Sequence, residues 1–133
     1  MMTGTRSADP SEHQIQKAVF QWLRAAHPRV IAYAIPNAAR RSAAQAAYLK
    51  AEGLRAGMPD IVVAAPRGGY HALYIELKTK KGRLSEAQHE TLLALAELDY
   101  ACAVARGVDE AIDLITKYLE GKWHELIELG TRH

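Results

Sequence analysis

Residues 57–78 read GMPDIVVAAPRGGYHALYIELK, and this stretch decides the fold. A continuous apolar run follows Asp60 as far as Ala65. The turn sequence Pro66-Arg67-Gly68-Gly69 comes next, and then a second run from Tyr70 to Lys78. Two strand-length runs separated by a proline and two glycines predict a β-hairpin. In the second strand Leu73, Ile75 and Leu77 share one face, which reads as core, while Tyr74, Glu76 and Lys78 share the other. An acid and an amine therefore sit side by side in a hairpin expected to be covered on both faces. Charged groups in such a place need partners or a metal.

The register of the hairpin determines what Glu76 meets. Pairing Ala65 with Tyr70 sets Asp60 opposite Ile75, on the wrong face. A loop one residue longer or shorter, or a bulge, moves Asp60 beside Glu76. The corrected register is the expected one, because it brings two carboxylates together where a divalent cation neutralises them. Oxygen ligands with open positions suit Mg²⁺ or Mn²⁺. Such a cation polarises a phosphoryl oxygen and lowers the pKa of a bound water, while the Lys78 ammonium orients that water or stabilises the developing charge. The chemistry this supports is phosphodiester hydrolysis.

On the N-terminal side, Ser11 to Ala26 reads as an amphipathic helix with Ser11 and Gln14 in capping-box positions. Ile15, Val19, Trp22, Leu23 and Ala26 form its expected buried stripe. Glu12 falls in the middle of that arc, where it either favours the positive end of the helix dipole or is aimed at a site. Val30 to Ile35 reads as a strand ended by Pro36-Asn37, and Ala38 to Arg55 as a second helix bearing Arg40, Arg41, Lys50 and Arg55. Beyond the hairpin, Lys80 to Leu84 is a loop carrying Lys80, Lys81 and Arg83. Ser85 to Leu98 is a helix with a second capping box, Ser85 and Gln88. Tyr100 to Ala105 is a fourth strand, and Val108 to Leu119 a helix ended by Gly121. Trp123, Leu126, Ile127 and Leu129 mark one further short helix, which either joins a dimer interface or folds back on its own domain. The order predicts an α/β fold, a central mixed β-sheet flanked by helices.

A length of 133 residues suits one domain. With 49% hydrophobic and 24% charged residues, disorder is excluded. A net charge of +2 is too small for a passive nucleic-acid wrapper, so the two basic clusters are either solvated faces or local phosphate contacts. No apolar run is long enough to span a bilayer, the first ten residues lack a signal-peptide core, and Cys102 is the single cysteine, so a cytoplasmic location is expected. The six histidines lack zinc-ligand spacing, and Gly68-Gly69 precedes no helix that would cradle a phosphate.

Gly53, Gly57-Met58-Pro59-Asp60, Tyr74-Ile75-Glu76-Leu77-Lys78, Gly82, Leu84, Ser85, Gln88 and Tyr118-Leu119 together resemble the virus-type replication-repair nuclease (VRR-NUC) family of the PD-(D/E)xK superfamily, in its standalone form. The resemblance covers residues 12 to 119. It implies a restriction-endonuclease-like core in which Asp60, Glu76 and the backbone carbonyl of Leu77 bind metal and Lys78 is the catalytic amine. Family members carry an acid on the first helix and a glutamine on the helix after the motif, which match Glu12, as a further metal ligand, and Gln88. Gln16 is a further candidate, while Gln88 alternatively serves only as a cap. The implied organisation is a flexible N-terminus over 1–10, a nuclease domain over 11–120 and a helical extension over 121–133. The implied activity is that of an Mg²⁺- or Mn²⁺-dependent, structure-selective DNA endonuclease, with Arg40, Arg41, Lys80, Lys81 and Arg83 contacting DNA. Standalone members resemble Holliday-junction resolvases that act as homodimers. The alternatives are a flap or other branched-DNA nuclease, or a non-catalytic binding module. A pure binder gains nothing from carboxylates that repel phosphate.

Overall fold

The computed structural model describes residues 9–36 and 42–128. Its elements run α1 (Glu12–Ala26), β1 (Ala32–Ala34), α2 (Ala43–Ala51), β2 (Ile61–Val63), β3 (Leu73–Lys78), α3 (Glu86–Glu97), β4 (Ala101–Arg106), α4 (Val108–Leu119) and α5 (Trp123–Glu128). The strands form one mixed sheet in the order β1-β2-β3-β4. The first two pairings are antiparallel and β3-β4 is parallel, which requires the crossover supplied by α3. The α/β architecture expected from the element order is the one observed.

Strand alternation divides the sheet into two unlike faces. Ile61, Val63, Leu73, Ile75, Leu77, Ala101, Ala103 and Ala105 join Ile15, Val19 and Leu23 of α1 and Ala111, Leu114, Ile115 and Tyr118 of α4 in one apolar core. The small alanines of β4 let α4 approach the sheet closely. The other face carries Val62, Tyr74, Cys102, Glu76 and Val104, and α3 lies on that side. The α1 stripe ends one turn earlier than expected: Leu23 is buried, but Ala26 is exposed, and Trp22 meets His27 edge-on with ring centroids 5.2 Å apart.

Three helices begin with the same Ser-x-x-Gln capping box, at Ser11, Ser42 and Ser85. The box at Ser42 and Gln45 opens α2 at Ala43, shortening the expected Ala38–Arg55 helix. Residues 37–41, including Arg40 and Arg41, lie outside the described residues, as do residues 1–8 of the expected flexible N-terminus. α2 buries none of its side chains, so its caps matter more than its packing.

The hairpin register is the corrected one. Ile61 pairs with Ile75 and Val63 with Leu73, which continues to Asp60 opposite Glu76. Near the turn, Arg67 pairs with Tyr70, so Ala64, Ala65 and Pro66 oppose only His71 and Ala72. This extra residue is a bulge, and its backbone bonds to three other parts of the chain. Ala64 N–H donates to Ile31 O, Ala65 N–H to Val63 O, and Ala65 O accepts the buried Tyr118 hydroxyl at 2.6 Å. Tyr118 thus ties the bulge to α4 from 53 positions away.

The expected short C-terminal helix forms and folds back. Trp123 is 5% exposed and packs edge-on against Tyr118, with centroids 6.0 Å apart, and Leu126 is partly buried against the same core. These two side chains belong to the core of their own domain. Leu129 lies outside the described residues.

Replacing Tyr118 by Phe keeps the ring and deletes the donor to Ala65 O. A loss of about 1–3 kcal/mol is expected in urea unfolding, with an unchanged dependence on urea concentration. A variant as stable as the wild type would show that the bulge does not depend on this bond.

Candidate active site

Glu76 is a carboxylate in the interior. It is 1% exposed, because β3 lies between two neighbours and α3 covers this face. Oε2 accepts a hydrogen bond from Gln88 Nε2 at 3.0 Å and lies 3.7 Å from Lys78 Nζ. Oε1 is buried with no hydrogen-bond partner. An ionised carboxylate here has lost its water and recovered only part of its hydrogen bonding. Burial, followed by the charge and side-chain contact of Asp60, pushes the Glu76 carboxyl up to about 8; Glu12 adds in the same direction and Lys78 opposes.

Asp60 ends the loop that precedes β2, directly after the buried Pro59. Its Oδ2 accepts the Leu77 N–H at 2.7 Å, and its own N–H donates to Ile75 O at 3.0 Å. Two bonds to consecutive stretches of β3 fix the carboxylate beside Glu76. Gly57 makes the approach possible. Its φ of +81° suits glycine, and a Cβ there would stand 2.8 Å from the backbone C and O of Ala87, next to Gln88.

Lys78 is 8% exposed, and its ammonium lies between Glu76 at 3.7 Å and Glu12 at 3.9 Å. Glu12 occupies the first turn of α1, where the helix dipole favours an acid, and its carboxylate faces Lys78. Gln88 makes the cap and a contact with Glu76 through different atoms. Its Oε1 accepts Ser85 N–H at 2.9 Å to complete the cap, while its Nε2 holds Glu76. Gln16 faces a different cleft, between α1 and β1.

Two oxygen donors side by side, one of them orphaned and buried, fit a hard divalent cation. Mg²⁺ in particular is commonly held by one or two carboxylates, with water and substrate completing the sphere. Among the described residues no three His, Cys, Asp or Glu side chains are grouped to hold a metal, and Glu12 faces Lys78.

A cleft of about 540 Å³ opens from this centre, and its walls include Lys78, Gln88, Lys50, Arg55 and Arg83. The two basic clusters of the sequence converge here through Lys50 and Arg55 from one and Arg83 from the other. The expected contacts Lys80 and Lys81 are exposed on the adjoining loop. Arg106, which the sequence reading passed over, anchors that loop by donating from Nη1 to Thr79 O at 3.0 Å and Gly82 O at 2.6 Å. The available signal was its place at the end of β4, beside Lys78 in the register.

The VRR-NUC domain family model matches residues 6–109, most of the chain. The chain belongs to the VRR-NUC domain family. A solved VRR-NUC domain protein superposes with a TM-score of 0.73 at 28% identity, over 86% of this chain and 93% of the other. No curated protein matches the chain. Membership carries a nuclease-type fold, and the VRR-NUC match includes Asp60, Glu76, Lys78, Glu12 and Gln88 within its bounds.

The raised Glu76 carboxyl has a consequence for stability. A folded-state pKa of about 8 against 4.5 means that the folded protein holds a proton the unfolded chain releases between those values. In chelator, the Glu76 contribution is fully present below about pH 4.5 and is lost as pH rises toward 8, with a slope of at most about 1.4 kcal/mol per pH unit. Glu76→Gln, neutral throughout, is expected to remove this part of the pH dependence. Parallel stability profiles for both proteins in urea would contradict the assignment.

Proposed function

We propose that the protein hydrolyses phosphodiester bonds in DNA with Mg²⁺ or Mn²⁺, and that Asp60, Glu76 and the Leu77 carbonyl hold the cation. The observation that carries this reading is the buried, unpartnered Glu76 Oε1 beside Asp60, whose neighbours Lys78 and Gln88 line a cleft walled by Lys50, Arg55 and Arg83. A cation bound there would polarise a phosphoryl oxygen and make its water more acidic. The protein's own groups account for the remaining work. Lys78 presents an ammonium to the developing phosphorane charge, and Glu12 and Glu76 hold that ammonium from two sides. Gln88 fixes the orientation of Glu76. Lys50, Arg55 and Arg83 supply cations to backbone phosphates, joined by Lys80 and Lys81 on the loop and by Arg40 and Arg41.

The proposed substrate is branched DNA, with four-way junctions the leading case. Two opposed cuts at a junction call for two active sites, which a two-fold homodimer supplies through one self-complementary interface. With Trp123 and Leu126 committed to their own core, that interface would draw on other surface.

Asp60→Ala, Glu76→Ala and Lys78→Ala are each expected to slow cleavage by about 10²-fold or more while leaving a folded protein. The assay is a panel of junction, flap, nicked and linear oligonucleotides with Mg²⁺, Mn²⁺ or chelator. A folded variant that cuts at the wild-type rate would remove its residue from the mechanism. Cleavage undiminished in chelator would remove the cation.

A further inference from the structure

Two carboxylates hold the head of the Lys78 side chain, and the turn from Thr79 to Gly82 lies against its stem. Lysine loses more rotamer freedom on ordering than most residues, so a buried lysine keeps one geometry best when stem and head are both held. Gly82 supplies the contact with the stem. A Cβ on Gly82 would stand 3.3 Å from Lys78 Cδ and 3.1 Å from Thr79 Oγ1, closer than side-chain carbons ordinarily approach. The φ of Gly82 is not positive, so this glycine serves close approach and not an unusual backbone conformation.

The turn is closed from within and from outside. Gly82 N–H donates to Thr79 O at 3.2 Å and to Thr79 Oγ1 at 3.1 Å. From outside comes Arg106, the partner of Lys78 in the β3-β4 register, whose side chain leaves the sheet on the same face. Its Nη1 donates to the carbonyls at both ends of the turn, Thr79 O at 3.0 Å and Gly82 O at 2.6 Å. Bonds from a charged donor are stronger than neutral ones. Arg106 is itself fixed by Glu110 in the first turn of α4, whose Oε1 accepts the Arg106 N–H at 3.1 Å.

We propose that Arg106 is a positioning residue of the nuclease: by tying Thr79 and Gly82 together it holds the turn on the Lys78 stem and so fixes the ammonium. This rests on the nuclease reading and adds a residue from β4 to its machinery. Stabilising a developing phosphorane charge requires a placed ammonium, whereas attraction between surface cations and phosphates requires little fixed geometry. Releasing the turn therefore slows the chemical step more than it weakens DNA binding.

Reductive methylation of lysines in chelator, read by mass spectrometry on the full chain, reports the clamp without turnover. In the wild type Lys78 should react more slowly than Lys80 and Lys81, which are exposed on the turn. In Arg106→Ala, with the fold checked by circular dichroism, labelling of Lys78 should rise about threefold or more while Lys17 on α1 is unchanged. Single-turnover cleavage of a junction or flap oligonucleotide in Mn²⁺ should slow about tenfold or more. The slope of log K against log salt for the same DNA in chelator should stay as in the wild type, whereas a direct phosphate contact by Arg106 would lower it by about 0.9. Gly82→Ala leaves every cation in place, and it too should speed Lys78 labelling and slow cleavage.

Unchanged Lys78 labelling in either variant, or cleavage at the wild-type rate despite faster labelling, would overturn the proposal. So would a slower Arg106→Ala whose Lys78 stays protected and whose salt slope falls, since Arg106 would then be a phosphate contact. Faster Lys78 labelling in a protein that cuts none of the probes would keep the clamp and sink the reaction.

Discussion

A carboxylate with one unanswered oxygen sits inside the sheet at Glu76, and much of the structure serves to keep it there. Burial alone would drive such a group to its neutral form. Asp60 makes the charged form costlier still, while Lys78 and Gln88 offset only part of that. A site in this state is poor at standing alone and well suited to a divalent cation. That combination is expected at functional positions, where local stability is given up for preorganised charge.

The supports of this pair are drawn from distant parts of the chain. A one-residue bulge at Ala64 to Pro66 sets the register that brings Asp60 opposite Glu76, and Tyr118 on α4 anchors the bulge. Gly57 lets the loop before Asp60 lie against α3, so that Gln88 reaches Glu76 from the other side. Arg106 holds the loop after Lys78 through two carbonyls. Each contact rigidifies one approach to the same few ångströms, which is how a small domain holds charged groups in one geometry. The described residues contain no helix long and apolar enough to cross a membrane.

The fold was legible because its signals are local. Alternation in Tyr70 to Lys78 and the Ser-x-x-Gln caps each depend on a few neighbouring residues, and α4 runs over the expected Val108–Leu119. The closeness of Glu76 and Lys78 was legible because they share a strand face. Asp60 was reachable only by assuming a bulge, since the hydrogen bond that supports it comes from Tyr118. The start of α2 was misplaced although Ser42 and Gln45 carried the same cap that marked the other helices; the helix-favouring Ala38-Ala39-Arg40-Arg41 before them concealed it. Trp123 and Leu126 looked surplus because the sequence does not tell how much of the core Tyr118 leaves open. The convergence of Lys50 and Arg55 with Arg83, and the loop anchor Arg106, depend on tertiary placement that no spacing rule conveys.

A divalent cation held by Glu76 would displace its proton, and calorimetry can count that proton. Mn²⁺ is titrated into the full chain at pH 6.5 in two buffers of different ionisation enthalpy. The difference in observed heat then gives the protons released per cation bound. With the Glu76 carboxyl raised to about 8, release close to one proton per site is expected. Binding without proton release, or no saturable binding at all, would contradict the account.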